Sequence, residues 1–515
     1  MPLGFGATPT ILGARVRLGN LHGQLTGLFA DGTLLVPHST RRAEIGGNGW
    51  IFGRVHDLLW IWIGDLALPA GRRMEIGNDL RSNFALHRSS IGMARTKNLL
   101  LTGLCLLLSL STAWASRILV PMDETQLNHL KSYGLTYWWL NQGGEANWVL
   151  NYRGGSFLFP HETSIEEACK LRGIRYEVIS EADANALFST VANPEVNMNA
   201  IKLLSAPKIA VYSPKTKQPW DDAVTLVLTY AEIPYDVVFD DEVLDGKLAE
   251  YDWLHLHHED FTGQYGKFWA SYSSAPWYQA EVAESEAMAA KHGYGSTREL
   301  KRAVAQHIRD FCLGGGFLFA MCSATDTYDI ALAAQGTDVC ESVFDGTPMD
   351  PLAQQKLDYD ACFAFKDFRL ETSPYVYEYS NIDVDPNARG VTEENDLFTL
   401  FEYSAKWDVI PSILCQNHTR TIQGFMGQTT AFRKDLVRSD VLIMGEYDLL
   451  NEARYIHGEM GKGTFTFYGG HDPEDYQHLV GEPPTDLNLH PNSAGYRLIL
   501  NNILFPSAQK EKQKT

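Results

Sequence analysis

Phe317-Leu-Phe-Ala-Met-Cys-Ser-Ala-Thr-Asp326 follows a glycine break at Gly314-Gly-Gly316. The apolar run Phe317 to Ala320, ended by the turn Met321-Cys322-Ser323, predicts a buried strand, a sharp reversal and a helix through Thr327 to Ala334. A helix that starts at such a turn aims its first unbonded amides at the side chain on the turn. That arrangement stabilises a thiolate and any oxyanion formed beside it. Ala320 and Ala324, two residues either side of Cys322, are small, as a strained elbow requires. The stretch therefore predicts an α/β fold that presents Cys322 as a candidate nucleophile, with Ser323 beside it.

Working outward, Lys208 to Tyr212, Tyr235 to Phe239 and Trp253 to His257 read as short buried strands, with a helix over Asp221 to Ala231 between the first two. Helices are predicted near Ala280 to Ala290 and over Thr297 to Cys312, and strands over Val441 to Met444 and Gly463 to Tyr468. A helix from Ser493 to Leu504 closes this block. Short apolar strands alternating with helices imply a mostly parallel sheet flanked by helices. Residues 206–506 are read as this main domain, with an insertion at about 335–419 that is rich in Asp, Tyr and Phe.

Ahead of it, 116–205 reads as an N-terminal α/β subdomain. It holds a strand at Ile118 to Pro121, a helix over Gln126 to Leu140 and a strand over Asn147 to Tyr152. Arg153-Gly-Gly155 reads as a turn, Ser164 to Arg172 as a helix capped by Ser164, and Tyr176 to Ile179 as a strand. Asn193 to Asn199 reads as a linker, and the lysine-rich 507–515 as a disordered tail.

Met93-Ala-Arg-Thr-Lys97, the apolar run Leu99 to Leu110 and Ala113-Trp-Ala115 together form the pattern of a signal peptide over 93–115, with Ser116 as the mature start. The run is too short for a comfortable membrane span. Residues 1–92 contain no lysine and no periodic pattern, and are read as an upstream extension of the gene model. The expected location is therefore outside the cytoplasm, in the periplasm or secreted. A formal charge of -20, from 63 acidic and 43 basic residues, excludes nucleic acid as a partner. Export makes disulfides possible, but Cys169, Cys312, Cys322, Cys340, Cys362 and Cys415 match no zinc-knuckle or CxxC spacing.

A thiol nucleophile needs a base, and an acid to orient it. His471 follows the strand ending at Tyr468, with Asp472 and Glu474 in the same turn. A second dense cluster, His255-Leu-His-His-Glu-Asp260, puts His255 and His257 on one face of a strand. Two imidazoles can begin a metal site, but spacing supplies no further ligand, so the reading includes no metal and no cofactor. Ligands of open parallel sheets gather at strand C-terminal ends, which places His257, Glu259, Ser323 and Asp472 as candidate binding residues around Cys322 and His471. Trp138, Trp139, Tyr265, Trp269, Trp277 and Tyr278 are read as packing or as the lining of a carbohydrate or peptide cleft.

The order of strands and helices, the strand-Cys-helix and the late strand-His-x-x-Glu resemble the class I glutamine amidotransferase-like superfamily over about Lys208 to Leu504. The resemblance implies a flavodoxin-like sheet, with Cys322 as nucleophile, His471 as base and Glu474 as its orienting acid. Two features depart from that pattern. Ala320 and Ala324 stand where the family has glycines, and His471-Asp-Pro-Glu474 is one residue longer than the family's His-Pro-Glu. Leu150-Asn-Tyr-Arg-Gly-Gly-Ser156, Trp220-Asp-Asp222 and Gly469-Gly-His-Asp-Pro-Glu474 are similar to secreted bacterial proteins labelled asparagine synthetase B. The glutamine-hydrolysing synthetase uses an N-terminal cysteine and a Ser-Gly-Gly-x-Asp-Ser loop. Neither occurs here, so the label does not imply synthetase activity. The expectation is an exported, amidotransferase-like, cysteine-dependent amide hydrolase acting on a small molecule, peptide or glycan. Its alternative is a catalytically silent module of the same fold that binds a sugar or peptide.

Overall fold

The computed structural model describes residues 116–215, 218–385, 389–477 and 479–509. The expected extension over 1–92 and signal peptide over 93–115 lie outside the described residues.

The chain forms an α/β protein with two sheets. The first is five-stranded and wholly antiparallel, built from β1 (Ser116–Val120), β2 (Ala146–Leu150), β3 (Ser156–Pro160), β4 (Glu177–Ser180) and β5 (Asn199–Leu203) in the order β4-β1-β3-β2-β5. Helices α1 (His129–Asn141), α2 (Thr163–Arg172) and α3 (Glu181–Ala192) accompany it. Ser180 begins α3 with a reciprocal capping box to Asp183. One local expectation is corrected here: helix α2 starts from Glu162 with no side-chain cap, so Ser164 lies inside the helix. The predicted linker is irregular over 193–198 and leads into β5, whose Asn199 pairs with Leu150.

The second sheet is mixed, which corrects the expectation of a mostly parallel one. Its parallel half is β7 (Asp236–Val238), β6 (Ile209–Tyr212), β8 (Trp253–Leu256), β9 (Phe317–Met321) and β15 (Gly463–Tyr468), in that spatial order. From β15 the sheet continues antiparallel through β14 (Glu452–Met460), β13 (Leu442–Tyr447), β10 (Leu397–Leu400) and β11 (Thr421–Gln423), while β12 (Phe432–Arg433) pairs with β14. The predicted insertion thus supplies β10 to the main sheet. Strand β14 carries buried Glu452, Arg454 and His457, which hides it from an apolar-run criterion. The charged pair is satisfied by a dry network in which Arg389 and Arg454 both bind Asp396 and Arg389 also binds Glu452.

Strand alternation sorts the parallel half into two faces. Trp253, Phe319 and Met321 face one core, shared with Ile118, Trp148 and Phe157 of the first sheet, Val224 and Leu228 of α4 (Ala223–Tyr230), and Leu498 to Leu504 of the closing helix. Leu254, Leu256, Leu318 and Ala320 face the other, packed under α6 (Thr297–Gly314) and α7 (Ser323–Ala333); α5 (Pro276–Lys291) precedes α6, and α8 (Ala494–Leu504) is the closing helix. Buried Arg497 of α8 ties the sheets together by donating to Met122 O at 2.9 Å, Tyr133 Oη at 3.0 Å and Gly154 O. The expected tail is ordered at its start, since Gln509 N donates to Lys202 O at 2.8 Å and Ala508 bridges Leu203. Among the described residues no helix is long and apolar enough to cross a membrane.

Candidate active site

Parallel register sets the site. Leu256 pairs with Ala320 and Tyr468 with Met321, so the residues just beyond β8, β9 and β15 emerge at one level of the sheet. Those residues are His257 and His258, Cys322, and Gly469 to His471, and they meet at the C-terminal edge as the α/β rule requires.

Cys322 has φ 50° and ψ -143°, a conformation L-residues rarely adopt. It is the single residue between β9 and α7, and it turns the side chain toward the loop around Gln428, just beyond the insertion. The Cys322 amide donates to Gly470 O at 3.1 Å, and its Sγ accepts from Gln428 N at 3.4 Å. The amides of Ser323 and Thr429 also favour the thiolate, yet burial dominates and pushes the thiol up to about 11. Burial thus outweighs the elbow amides and favours the neutral thiol; the residue is 5% exposed.

Two glycines allow the loop to close on it. A Cβ at Gly427 would lie 2.7 Å from His471 N, and Gly470, at φ 103°, would drive one into Phe425.

Three imidazoles stack beside the thiol. The His257 and His258 rings are 3.9 Å apart and nearly parallel, and His471 lies 4.6 Å from the first and 4.7 Å from the second. Ring nitrogens of His257 and His258 and Cys322 Sγ all fall within 4.8 Å of one another. His258 Nε2 is 2.8 Å and His471 Nε2 3.1 Å from the carbonyl of Asp221, so one acceptor orients both rings.

Behind them, the Asp222 carboxylate lies 3.1 Å from His255 Nε2 and 3.1 Å from His257 Nδ1, while its other oxygen caps α4 at Thr225 N. Burial opposes its charge, but His255 and His257 hold Asp222 well below the usual carboxylate range. Burial also lowers His257, against the pull of Asp222. With Nδ1 against the carboxylate, His257 Nε2 is left buried and without a hydrogen bond.

The other expected residues have definite places. Ser323 Oγ donates to His258 O at 3.0 Å and clamps that backbone. Glu259 Oε2 accepts from His257 N at 3.2 Å, and burial pushes Glu259 up to about 8. Asp472 is buried near Asp221, and its carboxylate accepts from Glu474 N at 2.9 Å. That turn swings the Glu474 side chain outward, where Oε2 meets His490 Nδ1 at 2.9 Å. Glu474 thus accompanies His490, and the acid set among the imidazoles beside the thiol is Asp222.

Two cavities meet at Trp220 and His258. One of about 260 Å³ is lined by Cys322, Ser323, Gln428, Tyr377 and Phe268. The other, of about 580 Å³, is lined by Asp221, Asp222, Glu259, Tyr265 and Lys301 among others. Trp220 stacks on Phe268 at 5.2 Å and meets Trp277 edge-on at 5.4 Å. Residues Trp220, Asp221, Asp222, His258 and Gln428 were absent from the sequence-derived site. The Trp220-Asp-Asp222 motif was the available signal for three of them, whereas Gln428 sits in a loop with no distinguishing pattern.

No family model and no curated protein matches this chain. Among solved structures it is similar to the cytoplasmic proteins STM3548 of Salmonella typhimurium and STM1381 of Salmonella typhimurium LT2. Each is 11% identical over 59% of this chain and 100% of the other, with TM-scores of 0.28 and 0.30. It is also similar to Gan42B, a GH42 beta-galactosidase, at 12% identity over 52% of this chain and 28% of that one, with a TM-score of 0.24. At such TM-scores these likenesses carry no argument. What the fold itself defines is an α/β protein with a buried thiol and imidazoles at one sheet edge.

Proposed function

We propose that the protein is an exported, amidotransferase-like amide hydrolase in which Cys322 is the nucleophile, His257 the base and Asp222 its orienting acid. The observation that carries this reading is the strained elbow at Cys322, φ 50°, set against backbone amides and within 4.8 Å of a carboxylate-backed imidazole. The sequence resemblance assigns the base to His471, whose ring lies tilted against both His257 and His258.

In the proposed cycle His257 takes the Cys322 proton as Sγ bonds to the amide carbon. The oxygen of the tetrahedral intermediate gains the negative charge and is held by the amides that surround Sγ in the resting state. Imidazolium returns the proton to the leaving nitrogen as the C–N bond breaks, leaving a thioester. Water then attacks, its proton passing to His257, and thiol and carboxylic acid are released. The larger cavity gives the substrate its remaining volume, with a peptide or small amide reaching Cys322 past Trp220.

The test is an acyl-enzyme. A panel of activated amides and thioesters should add one acyl mass to Cys322, released by hydroxylamine and absent from Cys322→Ser. The aromatic wall of Trp220, Phe268 and Trp277 favours the second reading, a silent sugar- or peptide-binding module. No adduct across the panel, with ligand binding unchanged in Cys322→Ala, would establish that reading instead.

A further inference from the structure

The same cluster has the donor set and the unsatisfied group of a metal site. Cys322 Sγ and ring nitrogens of His257 and His258 lie within 4.8 Å of one another, and none of the three comes from a flexible surface segment: Cys322 is 5% and His257 1% exposed. His257 turns Nδ1 to Asp222 at 3.1 Å and leaves Nε2 buried without a partner. An unmade hydrogen bond at a buried nitrogen is costly, and protein interiors rarely leave one. A histidine whose Nδ1 rests on a carboxylate while Nε2 stays open is also the usual arrangement of a metal ligand and its supporting acid.

Two other acid-histidine-cysteine groups do not compare. Asp222, His255 and His257 share one carboxylate that also caps α4, so this group has no oxygen left to spare for an ion. Asp338, Cys340 and Asp345 are neutralised by Arg298, 3.0 and 3.6 Å from the two carboxylates.

We propose that Cys322, His257 and His258 form a binding site for a thiophilic divalent transition metal, zinc first among them, and that the bound ion shuts the cysteine off from chemistry. One thiolate and two imidazoles suit such an ion, and they leave a fourth position open to water or to His471. Zinc bonds of about 2.0–2.1 Å to nitrogen and 2.3 Å to sulfur put tetrahedral ligand atoms roughly 3.3 to 3.7 Å apart. From a spacing within 4.8 Å, that closure requires the stacked His257 and His258 rings, 9° from parallel, to turn toward one another. Binding releases the thiol proton to solvent, and the ion then holds the Sγ lone pair that attack on a carbonyl would need. Gain and loss of metal therefore switch the site, and this holds whether or not Cys322 turns over an amide.

The experiment uses the purified protein, stripped with a chelator and titrated anaerobically with Co²⁺. Expected are a sulfur-to-cobalt charge-transfer band in the near ultraviolet and visible bands of tetrahedral intensity, saturating at one equivalent and removed by one equivalent of Zn²⁺. Cys322→Ser should abolish the charge-transfer band, and His258→Ala should weaken binding at least about tenfold. Zinc should also protect Cys322 from alkylation in the wild type, a readout that needs no folded variant. A wild type without the band overturns the proposal, as does a band that persists in folded Cys322→Ser, because the remaining cysteines would then be the ligands. The acyl-enzyme test above is run on chelated protein, so failure of one reading leaves the other standing.

Discussion

The pH profile of Cys322 alkylation separates two ways of running the site. Burial places the thiol at about 11, so at pH 7.4 roughly one molecule in 4,000 carries the thiolate, against about one in 14 for a free thiol near 8.5. That is about a 300-fold deficit in reactive form. A thiolate of higher pKa is intrinsically more nucleophilic, and with a Brønsted slope of about 0.4–0.5 over 2.5 units this recovers about 10- to 18-fold. The net expectation is labelling roughly 17 to 30 times slower than N-acetylcysteine in the same tube, slower still for restricted access. The assay is iodoacetamide labelling of chelated protein between pH 6.5 and 9.5, followed by mass spectrometry of the Cys322 peptide. The rate should climb about tenfold per pH unit without levelling. A plateau with its midpoint at or below about 8.5 would refute the reasoning. It would mean that the thiol has already passed its proton to His257, and that the site rests as an ion pair and not as a neutral thiol and imidazole.

Four further outcomes follow from the geometry. Asp222→Asn removes the carboxylate shared by His255 and His257; turnover of any substrate found should fall by at least about 100-fold, and urea unfolding should show a loss of about 2 kcal/mol, the worth of a charge-assisted bond. Gly427→Ala puts a Cβ 2.7 Å from His471 N, with Gly470 backbone atoms almost as close, and must shift the loop that carries Gln428; Cys322 labelling should change several-fold, and urea unfolding should show a loss of about 1–3 kcal/mol. Arg497→Met removes the donor to the Gly154 carbonyl and one of two partners each from Met122 O, which keeps His129 Nε2, and the Tyr133 hydroxyl, which keeps Asn501, and should cost about 1–3 kcal/mol in urea unfolding. Burial and then Arg497 lower His129 to about 3 and His418 to about 4. Their unfolded forms therefore take protons first, and the stability they contribute is complete above about pH 6.5 and lost as pH falls below it, at up to about 1.4 kcal/mol per histidine per pH unit. Between pH 7 and 5 the unfolding midpoint of His129→Gln should fall less steeply than that of the wild type; equal slopes would show that His129 is not held neutral.

The parallel half of the main sheet was legible because β6, β8, β9 and β15 are short runs buried on both faces, and such strands read as unbroken apolar segments. Of the antiparallel half only β13 was, through the run Val441 to Met444. Strand β14 has Glu452 and Arg454 in its buried interior, and only Arg389 and Asp396, far away in sequence, make that composition tolerable. The elbow at Cys322 could be read locally, since strand, small neighbours and helix lie within ten residues. Its partners could not be read by spacing. The His-x-x-Glu pattern suggested that Glu474 would orient His471, but an Asp472-capped turn sends that carboxylate to His490. The acid that does meet an imidazole beside the thiol stands at a helix N-cap between β6 and β7. Sequence motifs mark residues of a site more dependably than the pairs they form, because pairing is set by which strand ends share a level.

The case that this edge is functional rests finally on two local costs that packing alone would not retain. A cysteine at φ 50° and ψ -143° occupies backbone space open mainly to glycine, worth about 1–3 kcal/mol of strain. A buried Nε2 on His257 forgoes a hydrogen bond, at about 1–3 kcal/mol more. Glycine at the first position or phenylalanine at the second would relieve each without changing the strand pattern. That both stand within one 4.8 Å cluster beside a cavity supports the proposal of a site held ready for a reacting carbon or a metal ion. The two occupants are separable by experiment because a carbonyl requires the Cys322 proton to move during attack, whereas an ion requires it to leave before binding is complete.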